Sequence, residues 1–552
     1  MKCPKRLLPC AVLPVLGLAG CDDRSPTQSA SGSTVLEGDF FVRSQEDLDL
    51  LAALGGGSFG IAGDLSVEDS PFTTLEALEN LTGIGGNLSI GSFGAGNAEL
   101  TSLAGLGNLT RIGGYLSIFG NVSLTSLAGL EGVTGIGGGL FIRNTSLTSL
   151  SGLENVSGIG GTVKVVNNDA LTSLSGLDNL ARIGGYLSIV GNDSLASLTG
   201  LGNLTSFEGD LVVHDNPALT SLAGLEKLAS DAAAAFIYAA RTAPALPVAH
   251  HDALASLSGL DNLTRIGGDL SIGKVREGNP ALTSLSGRDN VADVGVSLPI
   301  SHPPALTSLS GLDNLARIGG VLSVFSSAAL TDLSGLDNLA GIGGVWLTGN
   351  PALTSLSGLE TLTSVGGFLS LANNSALSSL TGLDNITGID GMLQILHNDA
   401  LTGLAPLGNV TRVGGDLKVS GNHLLANLAG FESVTSIGGD LSIWYTDLTS
   451  LEGLGNLANI GADLSIGGND ALISLAGLES LTDIGGSLSI GDRRTGNTAL
   501  ASLAGLENLT RIGGDLSIHG NGALTDSSAR AFADRLVASG FTGSVTISGN
   551  QR

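Results

Sequence analysis

One stretch of sequence, of the form GL(D/E)NLTRIGG.LSI.GN, recurs along most of the chain. Anchored on the first residue of the IGG triplet, it falls at Ile61, Ile84, Ile112, Ile136, Ile159, Ile183 and Phe207. After a blurred unit it returns at Ile266, Val294, Ile318, Ile342, Val365, Ile389, Val413, Ile437, Ile460, Ile484 and Ile512. Most spacings are 23 or 24 residues. A fixed period in that range belongs to a solenoid, whose turns each lack a core of their own and bury their apolar side chains against neighbours.

In one unit the apolar positions are Leu500, Leu503, Leu506, Leu509, Ile512, Leu516 and Ile518. Steps of three match neither the helical nor the strand period. They suit a coil that turns a corner every few residues and sends one aliphatic side chain inward at each. Only Leu516-Ser517-Ile518 alternates cleanly, which places the strand of each turn there. The preceding Gly513-Gly514 reads as a bend that β-carbons obstruct. Asn521 reads as one rung of an amide ladder with Asn121, Asn192, Asn216, Asn350 and Asn422. At the front, Ser44-Gln45-Glu46-Asp47 has the pattern of a capping box opening a short helix after a strand at Asp39–Val42. At the far end, Asp526-Ser527-Ser528 opens an amphipathic helix over Ala529–Ala538, and GSVTISGN supplies a last strand. Both helices are expected to cover sheet edges.

This alternation, with its strand–helix cap, resembles the receptor L domain, the leucine-rich β-helix unit of insulin- and EGF-receptor ectodomains. The resemblance spans roughly residues 38–550. It implies an all-β fold: a right-handed parallel β-helix (solenoid) of about 19 turns of 23–24 residues, with short capping helices at both ends. It also implies a domain that binds ligands or partners on a sheet face and is not catalytic. This chain departs from that family in its length and in having no disulfide framework.

The first residues resemble a bacterial lipoprotein signal. Lys2, Lys5 and Arg6 precede the apolar run Leu7–Leu18, which ends in Leu18-Ala19-Gly20-Cys21. The resemblance implies a signal peptide over 1–20, lipidation at Cys21 and a polar tether over 21–37. Cys3 and Cys10 leave with the signal, so no thiol remains for a disulfide, a metal or catalysis. The expected location is the bacterial cell envelope, lipid-anchored to the inner or the outer membrane. The remaining organisation reads as 38–228, the N-terminal part of the β-helix with its cap; 229–253, an irregular insertion or decayed repeat without a Gly pair or LSI strand; 254–525, the C-terminal part; and 526–552, the closing cap. Residues 288–304 are a second decayed stretch.

Fifty acidic against 24 basic residues give a net charge of −26. Such a surface repels nucleic acid and anionic lipid, so no nucleic-acid partner is expected. With 85 glycines, chance motifs abound. GGGSFG at 55–60 fits both a dinucleotide fingerprint and a nucleophile elbow, yet lies in neither required context. The Asp of GGDLSI is replaced by Asn87, Tyr115, Gly139, Tyr186, Val321 or Ser487 in other turns, which a calcium ligand does not tolerate. The histidines are scattered, with only His250-His251-Asp252 adjacent. Acids of GL(D/E)N, followed by Arg111, Arg182, Arg265, Arg317, Arg412 and Arg511, read as surface charge ladders. The recurring Asn-Leu-Thr reads as turn chemistry. No catalytic set, metal site or cofactor emerges, and a non-enzyme is expected.

Three units carry four extra residues, at 91–97, 273–279 and 491–497, all just after the LSI strand. The outward positions of that strand are the residue before Leu, the Ser, and the residue after Ile. Most turns place Asp, Ser or Gly there. Some place aromatics instead: Tyr115, Phe119, Phe141 and Tyr186 in one group, and Phe325, Trp346, Phe368, Trp444 and Tyr445 in another, with Trp346 outward if a one-residue deletion shifts its register. In a chain with 4% aromatic residues, this face is the candidate binding surface for a protein or glycan ligand. The favoured function is a membrane-anchored, non-catalytic binding or adhesion module. The alternatives are a structural envelope spacer and, in third place, a polysaccharide-acting enzyme on a β-helix.

Overall fold

The computed structural model describes residues 27–28, 34–92, 94, 96–228, 246–249, 252–272, 279–287 and 289–551. The signal, Cys21, His250 and His251, Arg288 and most of the 273–279 insertion lie outside these residues. The chain divides into two compact units between Gly267 and Gly268. Each is a parallel β-solenoid, with about 19 turns in all.

The LSI segment of each turn is a strand in parallel register with its neighbours, as in Leu116–Phe119 with Leu140–Arg143 and Leu140–Arg143 with Val163–Val166. Its Leu and Ile point inward and the residue between them outward. A second parallel ladder, not anticipated from the sequence, is built from two-residue strands at the Ile of IGG. Gly135–Ile136 pairs with Arg111–Ile112 and Gly158–Ile159 in the first unit, and Arg412–Val413 with Ser436–Ile437 in the second. In a central turn Leu353, Leu356, Leu359, Leu362, Val365, Leu369 and Leu371 are all fully buried. Each such side chain contributes roughly 2 kcal/mol by leaving water, and none can do so without the turns on either side.

The glycine pair forms the expected bend, and its lack of β-carbons is explained by the neighbouring turn. Gly113, Gly114, Gly137 and Gly138 do not have positive φ. A β-carbon on Gly137 would collide with the carbonyl oxygen of Gly113, and one on Gly113 with that of Gly85. The glycines are there because successive turns approach to backbone contact. Left-handed backbone is found instead at the Gly of SLAGL, such as Gly505 at φ 107°. There the acid two residues on folds back: the Gly505 amide donates to Glu507 at 2.8 Å and that of Gly176 to Asp178 at 2.8 Å. This replaces the expected charge ladder, because an Asp or Glu so placed satisfies a local amide. The arginines pair elsewhere, Arg182 with Glu208 at 2.6 Å and Arg412 with Asp390 at 2.7 Å.

The asparagine ladder forms as expected. Asn192 is fully buried; its Nδ2 donates to the Val165 carbonyl at 3.1 Å and to Asn216 Oδ1 at 3.1 Å, while its Oδ1 accepts from the Asn168 amide at 3.0 Å.

The caps also form. Helix α1 (Gln45–Gly55) follows the strand Phe40–Val42, and Ser44 and Asp47 make the reciprocal capping box. Helix α2 (Asp526–Ala538) starts three residues earlier than expected, because the Thr525 hydroxyl accepts from the Ser528 amide and is the true cap. Arg535 of α2 donates to the Leu506 and Glu507 carbonyls, both at 2.7 Å. Val545–Ser548 then pairs with Leu516–His519.

Three segments hold strands that their sequence did not announce. Thr34–Leu36, assigned to the tether, is a strand paired with Phe59–Ile61, and its Leu36 is only 6% exposed. The segment 229–253 does contain a strand: Val248 and Ala249 of Leu246–Ala249 pair with Val213 and His214. In 288–304, Leu298–Ser301 keeps full register with Leu322–Phe325. In each case the backbone pairing persists where the repeat consensus does not.

Two substitutions test this account. Gly137→Ala is expected to destabilise by about 1–3 kcal/mol, against the usual gain from removing a glycine, since the new methyl has no space. Asn192→Ala is expected to cost about 1–3 kcal/mol by leaving buried amides and carbonyls unpaired. Urea and thermal denaturation of each variant against the parent chain check both.

Candidate ligand-binding face

The LSI face is a grid with three outward columns. In the column before Leu, the consensus Asp has a structural task that the sequence did not reveal. Asp416 Oδ1 accepts from the Asp440 amide at 2.9 Å, Asp440 from Asp463 at 3.0 Å, and Asp463 from Ser487 at 2.7 Å. Asp515 likewise accepts from Ser544 at 2.9 Å. In the first unit the same ladder runs from Asp39 through Asp64 and Asn87 to the amide of Tyr115. It stops there, because a tyrosine has no oxygen within reach of the next turn's amide. Aromatics in this column therefore replace a structural residue.

In the first unit the four predicted aromatics share one patch. Tyr115 is 36% exposed and packs edge-to-face on Phe141, with centroids 5.9 Å apart and planes at 68°. Phe141 folds back over Gly139, where a β-carbon would meet its ring. Two cations missed in the sequence complete the patch. Arg143, in register beside Phe119, lies 5.6 Å from the centroid of that ring. Lys164, beside Phe141, lies 5.2 Å from the centroid of Tyr186. The available signal was the loss of the consensus Ser and Gly in the outward columns of two adjacent turns.

In the second unit the predicted group divides. Trp346 is paired with Ser323 and Ser370, so the register shift does turn it outward, 44% exposed. It joins Phe325 at 5.0 Å and Phe368 at 6.2 Å into a diagonal of three edge-to-face rings. Trp444 and Tyr445, 5.9 Å apart, form a separate pair. The strands Leu393–Leu396 and Leu417–Ser420 intervene, placing the pair about 14 Å from the diagonal at one strand spacing per turn.

Tyr445 occupies the corner where other turns use Gly, Asn, Asp, Ser or His, and it takes φ 53° while 50% exposed. A bulky residue there is a conformational outlier. Its ring lies over Gly468, and its hydroxyl is 3.5 Å from Thr495 in the 491–497 insertion. That insertion, expected to bulge from this corner, reaches the aromatic pair. Its own turn is held by Asp492, which accepts from the Arg494 and Thr495 amides at 2.6 Å.

No cluster of three or more His, Cys, Asp or Glu able to hold a metal is found among the described residues. The Asp416 carboxyl is held below its usual range chiefly by its hydrogen bond from Lys418, at 2.7 Å.

The sequence matches no known protein family. No curated protein matches it either. Among solved structures, a TLR13–ssRNA13 complex aligns over 79% of this chain and 74% of its own, at 14% identity and a TM-score of 0.22. At that score the assignment of the fold rests on the strand pairing described above.

Proposed function

We propose that this chain is a non-catalytic binding module whose ligand, a protein or a glycan, docks on the aromatic-bearing LSI face. The observation that carries this reading is the packing of exposed aromatics into clusters on that face, in columns where the fold uses Asp, Ser or Gly. Tyr115 displaces an amide acceptor and Tyr445 sits in left-handed backbone. Strained or rule-breaking residues that the scaffold does not require are characteristic of functional sites. Partly exposed aromatics packed edge-to-face also supply contact area at low entropic cost.

On this reading Cys21 anchors the module to a membrane of the bacterial envelope, and the residues up to the strand Thr34–Leu36 space it from the lipid. The spacer reading would require these aromatics to be idle.

The fold itself supplies the control substitutions. Trp346 is flanked by Ser323 and Ser370, and Phe141 by Ser117, so serine is the scaffold's own residue at both positions. A chain carrying Tyr115→Ser, Phe141→Ser, Trp346→Ser and Phe368→Ser is expected to lose capture of envelope components while its melting temperature stays within a few degrees of the parent. Retained capture in pull-down from envelope fractions would refute the reading. Tyr445→Gly is expected to leave stability unchanged or higher, since glycine adopts that backbone freely, whereas Tyr445→Val should lower it by about 1–2 kcal/mol. Thermal denaturation distinguishes the two.

A further inference from the structure

The first unit's patch differs from the rest of the LSI face in charge. Lys418, in the middle column of the second unit, is neutralised by Asp416 at 2.7 Å. Lys164 occupies the equivalent column, but the position corresponding to Asp416 is Thr162, and its ammonium lies over the Tyr186 ring. Arg143 lies over Phe119, and its Nε, shielded from solvent, has no hydrogen-bond partner. Among the described residues neither cation has an ion pair. In a chain of net charge −26, two adjacent uncompensated cations are a local reversal of sign. They sit on neighbouring strands, two residues apart along the strand direction, which separates their Cα atoms by about 8 Å.

We propose that this patch binds a carboxylate-bearing sugar chain, with sugar rings against Tyr115, Phe141 and Tyr186 and carboxylates at Arg143 and Lys164. The inference rests on reading the LSI face as a binding surface, and it names the ligand class for one part of it. Three observations favour an acidic glycan. Guanidinium and ammonium groups without carboxylate partners are matched by a ligand that brings its own. The strands of the patch are paired on both sides, so no backbone edge is open for an extended peptide to add as a strand. Tyr115 and Phe141 meet at 68°, which makes a corner that a puckered ring fills, not the parallel platform on which flat bases stack.

The test is a titration of the full chain with four small probes. These are trigalacturonate, its fully methyl-esterified form, triglutamate and trithymidylate. The inference expects trigalacturonate to bind, with at least tenfold weaker binding for the ester, which differs only in charge. It expects triglutamate and trithymidylate to bind at least tenfold more weakly as well. Arg143→Gln and Lys164→Gln should each weaken trigalacturonate binding about tenfold at unchanged melting temperature, and added salt should weaken it further. Lys418→Gln, in the same column of the other unit, should change nothing. The inference is overturned if the ester binds equally, if both Gln variants keep parental affinity, if triglutamate or trithymidylate binds as tightly, or if no probe binds. The wider reading fails separately, when Tyr115→Ser and Phe141→Ser leave capture of envelope fractions by the first unit's face intact.

Discussion

The structure depends on one constraint: neighbouring turns must lie at strand spacing around the whole perimeter, not only at the sheets. A turn that buries seven aliphatic side chains against its neighbours cannot tolerate a wedge anywhere between them. The glycine pair therefore carries no β-carbon, because the previous turn's carbonyl occupies that space. The asparagine column, fully buried, serves the same end by bonding each corner to the next. The Asp column outside does so again through the next turn's amide. Repetition of sequence follows from repetition of contact.

This frame gives meaning to the exceptions. When one outward column has a structural assignment and the others repeat small residues, a residue that abandons the pattern stands out. Tyr115 ends an acceptor ladder, Trp346 replaces a serine after a register shift, and Tyr445 holds left-handed backbone. None adds to the core. Their clustering into rings in contact, and the two cations of the first unit, are the features on which the proposed binding surface rests.

Much of this was readable in advance for a physical reason. Inward positions repeat because they share one environment, so the strand, the aliphatic set and the asparagine ladder follow from periodicity, and both caps from their helix-start residues. Reading failed where a residue's partner lies a full turn away. Asp515 and His519 stand in outward columns, yet Asp515 accepts from Ser544 at 2.9 Å and His519 is bonded to Ser548 at 2.8 Å. The acids of GL(D/E)N looked like partners for arginine and instead bind an amide two residues back. The strand in the decayed unit, Leu246–Ala249, was missed because Pro247 and Ala249 replace the familiar letters while the backbone pairing survives.

Sequence by itself determined that the chain is a parallel β-solenoid and which residues on it are unusual, because burial imposes the same inward pattern on every turn. Only the tertiary structure decided which unusual residues meet. Tyr115 and Phe141 lie 26 positions apart in sequence and touch, whereas Phe368 and Trp444, assigned to one group, are separated by two intervening strands. Lys164 and Lys418 occupy the same column, and only the residue two places earlier in each turn decides that one is neutralised and the other is not. Side-chain proximity in a solenoid is set by column and turn together, and the turn spacing converts sequence distance into contact only once the register is known.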